Sequence, residues 1–348
     1  MFANIDYPEH IKPETLDRYL EHGWFRMNQS IFTTNFLHFH NEFYSAIWLR
    51  VCTHNYIADK KEKAICKTNQ HFRTEIVPAH ITDAQENLYD LYKEGISFQP
   101  ASSLHQLLIA NNNYNRYNSF AVNVYDDTTL IATGFFDAGK TTAAGISCFY
   151  HPQYKKYSLG KYLMFLKIQY CVKNGLQYFY PGYLVPGYAP FEYKSSIGKL
   201  SLEYLSLADN QWHSFTGFSP AKIPLQVMEE KLNQLQKIFV QYHLETTIQY
   251  YRFFDANLDP SCEGLLLFDY PLFLLYPAFG TEDTFYLVTF DVRTTQYHFM
   301  ECYSVGKLNF TQPIPEIFCS DLLKVKAIIC SFDNPETLAA IFLNVKPD

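Results

Sequence analysis

Apolar and polar positions along the chain fall into three successive rhythms. The first third mixes short helical and β-type segments. Leu16, Tyr19 and Leu20 share one face of a helix predicted over 13–22; Pro13 suits its first turn and Gly23 the left-handed position beyond its end. Two β-rich runs, 29–39 and 43–51, are joined by His40-Asn41-Glu42 and predict a hairpin. Residues 60–69 read as a basic helix. Thr82-Asp83-Ala84-Gln85 is a capping box opening a helix through Leu88, Leu91 and Tyr92 to Gly95. The turn-rich run Asn111-Asn112-Asn113-Tyr114-Asn115 marks the first boundary.

The middle third turns to strands, 119–125, 129–137 and 145–150, with short connections that suit antiparallel pairing. A helix follows, with Ser158 as its expected N-cap and Leu159, Tyr162, Leu163, Leu166 and Tyr170 on one face. It stops at Asn174-Gly175, and strands are expected at 177–183 and 200–207. The last third opens with a helix expected from Ser219-Pro220, on which Met228, Leu232, Leu235, Phe239 and Tyr242 recur at spacings of four and three. Two heptads are too few for a coiled coil, so this helix is expected to lie on its own domain. Strands are expected at 265–269, 284–292 and 296–303. The expectation is an α+β chain in three parts: an N-terminal α+β domain over 1–110, a second over 111–216 and a C-terminal extension over 217–348.

Composition sharpens this picture in one respect. The net charge of −7 argues against a general nucleic-acid binder, but it is unevenly spread. Residues 1–110 carry 10 Lys/Arg against 13 Asp/Glu, residues 111–200 carry 9 against 4, and residues 201–348 carry 9 against 18. A basic middle beside an acidic tail directs attention to a polyanionic partner for the middle. The first residues lack a basic n-region and an apolar h-region, so a cytoplasmic location is expected. The most apolar stretch, 264–279, is interrupted by Asp269, Pro271 and Pro277 and is too short to span a bilayer, so no membrane association is expected. The eight cysteines form no C-x-x-C pair and read as reduced thiols, with no metal site expected.

Three motifs invite chemistry. Gly134-Phe135-Phe136-Asp137-Ala138-Gly139-Lys140-Thr141 matches G-x-x-x-x-G-K-T literally. A phosphate loop must open a helix, whereas β-type residues follow here, so a hairpin turn is the better reading. His38 and His40 stand two apart with no third ligand nearby, and they read as a surface pair rather than a metal site. The third motif, His151-Pro152-Gln153-Tyr154-Lys155-Lys156-Tyr157-Ser158-Leu159-Gly160-Lys161, sets three lysines around a helix opening, where amides and dipole favour an anion. Between 151 and 200 there are seven Lys against one Glu, interleaved with tyrosines, the pairing of charge and stacking faces that an unpaired nucleic-acid end requires.

On these residues the chain resembles the arginyl-tRNA–protein transferases and their bacterial leucyl-transferring relatives. Tyr157-Ser158-Leu159-Gly160 matches the family's Tyr-Ser-Leu-Gly step, Tyr180-Pro181-Gly182-Tyr183 its Tyr-x-Gly-Tyr strand, and Gly187 with Tyr193-Lys194 the elements that follow. Gly23-Trp24-Phe25-Arg26 and the basic helix sit in the family's order, so the resemblance covers roughly 13–205. The family's N-terminal cysteine cluster is absent, replaced by Phe32-Thr33-Thr34-Asn35-Phe36, and Pro190-Phe191-Glu192 stands where the family has a basic-Met step. The resemblance implies a GNAT-like, mainly antiparallel sheet in the middle domain and no cofactor. It implies transfer of an amino acid, of the arginine or leucine class, from aminoacyl-tRNA to the N-terminal α-amine of an acceptor protein, which creates an N-degron. By the same resemblance Tyr183, Tyr193 and Lys194 line the transfer site. Lys155, Lys156, Tyr157, Ser158, Gly160, Lys161 and Gly187 meet the tRNA, and Arg26, Gln29 and Ser30 close the site from the N-terminal side. Two alternatives stand beside it: a GNAT N-acyltransferase using an acyl-CoA, and a non-catalytic binder of protein N-termini.

Overall fold

The computed structural model describes residues 1–54, 56–96, 100–262, 264–277, 283–307 and 317–344. At its centre is an eight-stranded sheet in the order Gln211–Ser214, Leu202–Ser206, Ile47–Cys52, Tyr178–Leu184, Thr142–Tyr150, Thr129–Ala138, Ser119–Asp126 and Arg73–Pro78. Every adjacent pair is antiparallel except Thr142–Tyr150 with Tyr178–Leu184, which run parallel and are joined through the helix Leu159–Lys173. Antiparallel strands, a crossover helix and a returning parallel strand make the α+β, GNAT-like layout expected. Strands 47–52 and 73–78 belong to this sheet, so the sheet crosses the expected division between 110 and 111.

The crossover helix covers one face of the sheet, where Leu163 and Ile168 meet Val122, Val124 and Phe136. The helix Lys60–Asn69 lies against it, and the Asn69 amide donates to the Tyr157 carbonyl at 3.0 Å. Covered by sheet and helix together, the crossover helix buries Met164, Phe165, Lys167 and Cys171 as well as the predicted Leu159, Tyr162 and Leu163. The opposite face is covered by the helix Asp83–Lys93, whose Thr82–Gln85 capping box forms as expected, and by the short helix Leu104–Leu108.

Some expectations were redrawn by tertiary pairing. The two β-rich runs predicted over 29–39 and 43–51 are each broken, at Asn35 and Ala46, and these two residues are themselves hydrogen bonded, Ala46 N to Asn35 O at 2.8 Å. Their inner halves, Phe36–Phe39 and Glu42–Ser45, form the hairpin. The outer halves go elsewhere: Ser30–Thr34 into a three-stranded sheet with Ala3–Asp6 and Phe25–Met27, and Ile47–Cys52 into the central sheet. The G-x-x-x-x-G-K-T run is the end of strand 129–138 followed by its short hairpin connection to strand 142–150, pinned by the Asp17 carboxylate. Asp17 accepts from Thr141 N and Oγ1 at 2.9 Å each and from Thr142 Oγ1 at 2.6 Å.

The last third folds around its own core. A five-stranded antiparallel sheet, Thr247–Tyr250, Leu272–Leu275, Thr284–Asp291, Gln296–Lys307 and Asp321–Phe332, receives the helix Pro224–Gln241 through Met228, Leu232, Leu235 and Phe239. The helix begins at Pro224 because Pro220–Lys222 is a separate 3₁₀ turn, and Tyr242 lies beyond its end, exposed. The strand expected at 265–269 does not form: Leu266 adopts φ +52° and Leu267 makes only an isolated bridge, while the strand lies at 272–275, past Pro271. Of the apolar stretch 264–279, residues 278 and 279 lie outside the described residues. No helix among the described residues is long and apolar enough to cross a membrane. The chain's first residues tie this unit to the rest, since Phe2 is buried in its core and donates its amide to the Asp269 carboxylate.

Candidate active site at the splayed strands

The parallel pair in the central sheet is short. Strands 142–150 and 178–184 pair only over Thr142–Ala144 with Tyr178–Tyr180. Register shifts at Gly145/Ser147 in strand 142–150, where it pairs with 129–138, and at Phe179/Gly182 in strand 178–184, where it pairs with 47–52, then let them diverge. A cavity of about 400 Å³ occupies this splay. Gly145, Ile146, Pro181, Gly182 and Tyr183 line it from the strands, Phe25, Arg26, Phe32 and Trp48 from the N-terminal segment, and Phe191 and Lys194 from the chain beyond. A larger cavity, about 530 Å³, lies between the sheet edge and the C-terminal unit, beside Tyr204, Lys222, Lys231 and Phe290, and holds none of the sequence-predicted site residues.

Lys194 reaches the cavity by local geometry. Gly187 turns the chain at φ +83°, Pro190 starts the short helix Ala189–Glu192, and a 3₁₀ turn over Tyr193–Ser196 follows. The Lys194 ammonium lies 5.2 Å from the Tyr183 ring centroid and 4.8 Å from that of Phe191. Those two rings stack at 5.5 Å, and Tyr183 meets Trp48 edge-on at 5.0 Å. Gly182 sits at φ +91°, and a Cβ there would come within 3.1 Å of Lys194 Nζ, so glycine permits the ammonium to rest against the strand. Desolvation brings the Lys194 ammonium down to about 8, and burial pushes the Tyr183 phenol up. A lysine held near neutrality among aromatic faces marks a functional-site candidate. Tyr193 does not line this cavity; its ring is more than a third exposed, and burial of its hydroxyl raises its pKa.

Arg26 lines the cavity, but its charge is engaged. Its guanidinium donates to Asp137 Oδ1 and to Ser119 Oγ, each at 2.9 Å, and to the carbonyls of Asn28 and Leu108. It also packs over the Tyr117 ring at 4.4 Å. Gln29 and Ser30, expected beside it, do not line the cavity. Gln29 is buried and bridges the Leu108 carbonyl, at 2.5 Å, to the Arg116 amide, at 2.6 Å. Ser30 is bonded to Met27 O, and its carbonyl accepts from the Tyr117 hydroxyl at 2.6 Å. Both fasten the N-terminal segment to the 108–117 connection.

The basic helix opening follows the strand end at Tyr150, on the side toward which the strands diverge. Residues Pro152–Tyr157 form a 3₁₀ turn that leaves Lys155 and Lys156 exposed, and Tyr157 packs edge-on against Phe72 at 5.1 Å. Ser158 occupies the N-cap position, but at φ +53° its side chain makes no capping bond, because the preceding turn sets its backbone left-handed. Gly160 lies over the Tyr150 ring, where a Cβ would make ordinary contact at 3.5 Å, and Lys161 is half-buried. One of the seven lysines counted in this basic stretch is not a surface charge at all. Lys167 is 1% exposed, with its ammonium on the carbonyls of Phe135, at 2.8 Å, and Ser147, at 2.9 Å. No group of three or more His, Cys, Asp or Glu side chains among the described residues is placed to hold a metal.

Sequence reasoning missed Asp137. It sits fully buried in the strand Thr129–Ala138 and lines the splay cavity beside Arg26. The signal was present, since a single carboxylate in the run Leu130 to Ala138 needs a partner when buried. Desolvation raises its pKa, opposed by Arg26, the Ser119 hydroxyl and Lys167.

A mixed sheet with a splayed parallel pair, a crossover helix and a cavity at the splay is a GNAT-like layout. Residues 54–203 match the model of the arginine-tRNA-protein transferase C terminus. Among similar curated proteins, the aspartate/glutamate leucyltransferase of Acinetobacter baylyi is 28% identical over 169 residues, 47% of this chain and 60% of that protein. The aspartate/glutamate leucyltransferase of an Acinetobacter baumannii strain is 26% identical over 194 residues, 53% of this chain and 65% of that protein. The corresponding protein of Helicobacter hepaticus is 23% identical, over 53% of this chain and 78% of its own length. The chain thus spans less than two thirds of the two Acinetobacter relatives. A solved C-terminal domain of a putative lysylphosphatidylglycerol synthetase from Agrobacterium fabrum overlaps at TM-score 0.33 and 11% identity, covering 43% of this chain and 49% of that one. Residues 54–203 of this chain are thus similar to the C-terminal part of the arginine-tRNA-protein transferases.

Proposed function

We propose that the protein is a tRNA-dependent aminoacyltransferase, moving an amino acid from aminoacyl-tRNA to the N-terminal α-amine of an acceptor protein. The observation that carries this reading is the desolvated Lys194 ammonium in the splay cavity, flanked by Tyr183 and Phe191. In the reaction a neutral α-amine attacks the ester carbonyl carbon, and the C–O bond to the terminal ribose breaks. The ribose oxygen takes up a proton and an amide remains. The ester is already activated, so the protein's contribution is positioning and stabilisation of the oxyanion. Lys194 supplies a compact charge for that oxyanion, and Tyr183 with Phe191 fixes its place. Lys155, Lys156 and Lys161, with the helix opening at Ser158 and Gly160, receive the phosphates of the tRNA end.

The donor is of the leucine class, and the acceptor begins with an acidic residue. Two things support this: the names of the similar bacterial proteins, aspartate/glutamate leucyltransferases, and the apolar wall of Phe25, Phe32, Trp48, Leu107 and Ile146 around the cavity. An aliphatic side chain fits such a wall. The product is a protein bearing a new N-terminal residue, an N-degron, made in the cytoplasm. A panel of tRNAs charged with different amino acids, offered with peptides that vary in their first residue, tests the reading. Leucine transfer to Asp- or Glu-initiated peptides is expected, and transfer of arginine instead overturns the donor assignment.

A further inference from the structure

The cavity of about 530 Å³ between the edge of the central sheet and the C-terminal unit plays no part in the proposed transfer. Every residue that lines it lies outside 54–203, the segment that matches the family model, so the family likeness does not account for it. Its size is that of a small-molecule site. Much of its wall is apolar, built by Ile47, Leu207, Phe218, Val227, Phe290 and Val292.

Asn35, Lys222 and Lys231 bring hydrogen-bond donors to that wall. Asn35 is 8% exposed, and its main chain is paired with Phe2 O at 3.0 Å and Ala46 N at 2.8 Å. Its side-chain amide makes no hydrogen bond among the described residues, yet it is not among the polar atoms sealed inside the protein. Lys222 spends two donors on the Tyr204 hydroxyl, at 3.1 Å, and the Gly217 carbonyl, at 2.9 Å. Lys231 is half-buried on the helix Pro224–Gln241, with its ammonium 5.7 Å from the Phe290 ring centroid, and it forms no ion pair among the described residues. Two carboxylates also line the cavity. Asp209 is committed to the His213 ring, at 2.7 Å, and to the Gln211 amide, at 3.2 Å, which leaves Asp333, an exposed residue.

From this arrangement we infer that the cavity is a binding site for a small aromatic carboxylate, whose headgroup pairs with Lys231. Two ammonium groups against one uncommitted carboxylate favour an anionic head over a cationic one. The apolar body of the ligand displaces water from the wall, and its flat ring suits the faces of Phe218 and Phe290. The Lys231 ammonium gains the oxygen it lacks, a charge-assisted bond stronger than one between neutral groups. The Asn35 amide, buried without a partner, offers a further donor and acceptor inside the cavity. The ligand is neither tRNA nor acceptor protein, so the inference stands apart from the aminoacyl-transfer reading.

Isothermal titration of the full chain with naphthoate, its neutral isostere naphthamide and the cation naphthylmethylamine tests it. Naphthoate should bind at a single site per chain, about tenfold tighter than naphthamide, with the amine weakest. Lys231→Met should bring naphthoate down to the level of naphthamide and leave naphthamide unchanged, whereas Lys231→Arg, which keeps the charge, should retain most of the preference. Absence of saturable naphthoate binding, or equal affinity for all three probes, overturns the inference on the unmodified protein alone. A preference for naphthoate that persists in Lys231→Met also overturns it, because the headgroup then lies elsewhere. Loss of naphthoate and naphthamide together in both Lys231 variants overturns it as well, since that pattern is damage to the fold.

Discussion

Removing the Lys194 ammonium is the perturbation that the cavity geometry makes most informative. The Lys194→Ala change deletes the cationic group that lies 5.2 Å from Tyr183 and 4.8 Å from Phe191, and it leaves the strands beneath untouched. One preorganised donor at a developing oxyanion contributes roughly 3 kcal/mol, so single-turnover transfer should slow about a hundredfold, with tRNA affinity changed much less. Lys194→Arg should recover only part of the rate, because a planar fork does not replace a compact charge. The pKa of about 8 adds a signature that a purely structural lysine lacks. The protein with Lys194 should lose rate as pH rises through about 8, where the ammonium loses its proton, whereas Lys194→Arg should keep its residual rate there. The assay is quench-flow transfer of labelled leucine to a peptide, with thermal melts run alongside. A Lys194→Ala protein that melts like its parent and transfers at the parent's rate refutes the argument.

The same lysine has a stability consequence of definite sign. Its folded pKa lies below its unfolded value of 10.5, so folding expels a proton between about 8 and that value, and the cost of burying the charge is present at neutral pH. Lys194→Met should therefore raise the melting temperature at pH 7, with the gain shrinking toward pH 10; a constant gain across that window contradicts the desolvation argument. Replacing Lys155, Lys156 and Lys161 together by Ala should shallow the salt dependence of tRNA binding, by about 0.7 for each single-strand phosphate no longer neutralised, read from filter binding at several salt concentrations. An unchanged slope returns these lysines to plain surface charge. Arg26→Ala strands the buried Asp137 carboxylate and should cost about 3–5 kcal/mol in urea unfolding, while the paired change Arg26→Met with Asp137→Leu should recover most of it. A loss below about 1 kcal/mol in the single variant denies that the pair matters to folding.

Much of the fold was legible in the sequence because local signals and tertiary structure agree there. The basic helix runs over Lys60–Asn69 as expected, the Thr82–Gln85 capping box forms, and the strands of the middle domain lie close to their expected places. Where tertiary pairing decides, periodicity was blind. The apolar runs on either side of His40 read as two strands, but the chain breaks each to serve different sheets. Strands 47–52 and 73–78 join a sheet whose other members lie beyond residue 110, which no local pattern reveals. Tyr183 and Lys194, singled out through the family-like motif, both line the splay cavity. Gln29 and Ser30 have the right neighbourhood but spend their polar groups on the backbone. Asp137 escaped because it lay inside a run read only for its likeness to a phosphate loop. Lys167 shows the limit of counting charge, since its ammonium is satisfied inside the core.

The central claim is that the cavity at the splayed strands carries an aminoacyl group from tRNA to a protein N-terminus. It is tested most directly by incubating the full chain with an acidic-initiated peptide and leucyl-tRNA labelled in the amino acid, with and without ribonuclease, beside a parallel reaction supplied with labelled acetyl-CoA. The account predicts label on the peptide's α-amine from leucyl-tRNA alone, abolished by ribonuclease and reduced about a hundredfold in Lys194→Ala. Ribonuclease-resistant label from acetyl-CoA, or no label from any charged tRNA with a folded protein, contradicts it.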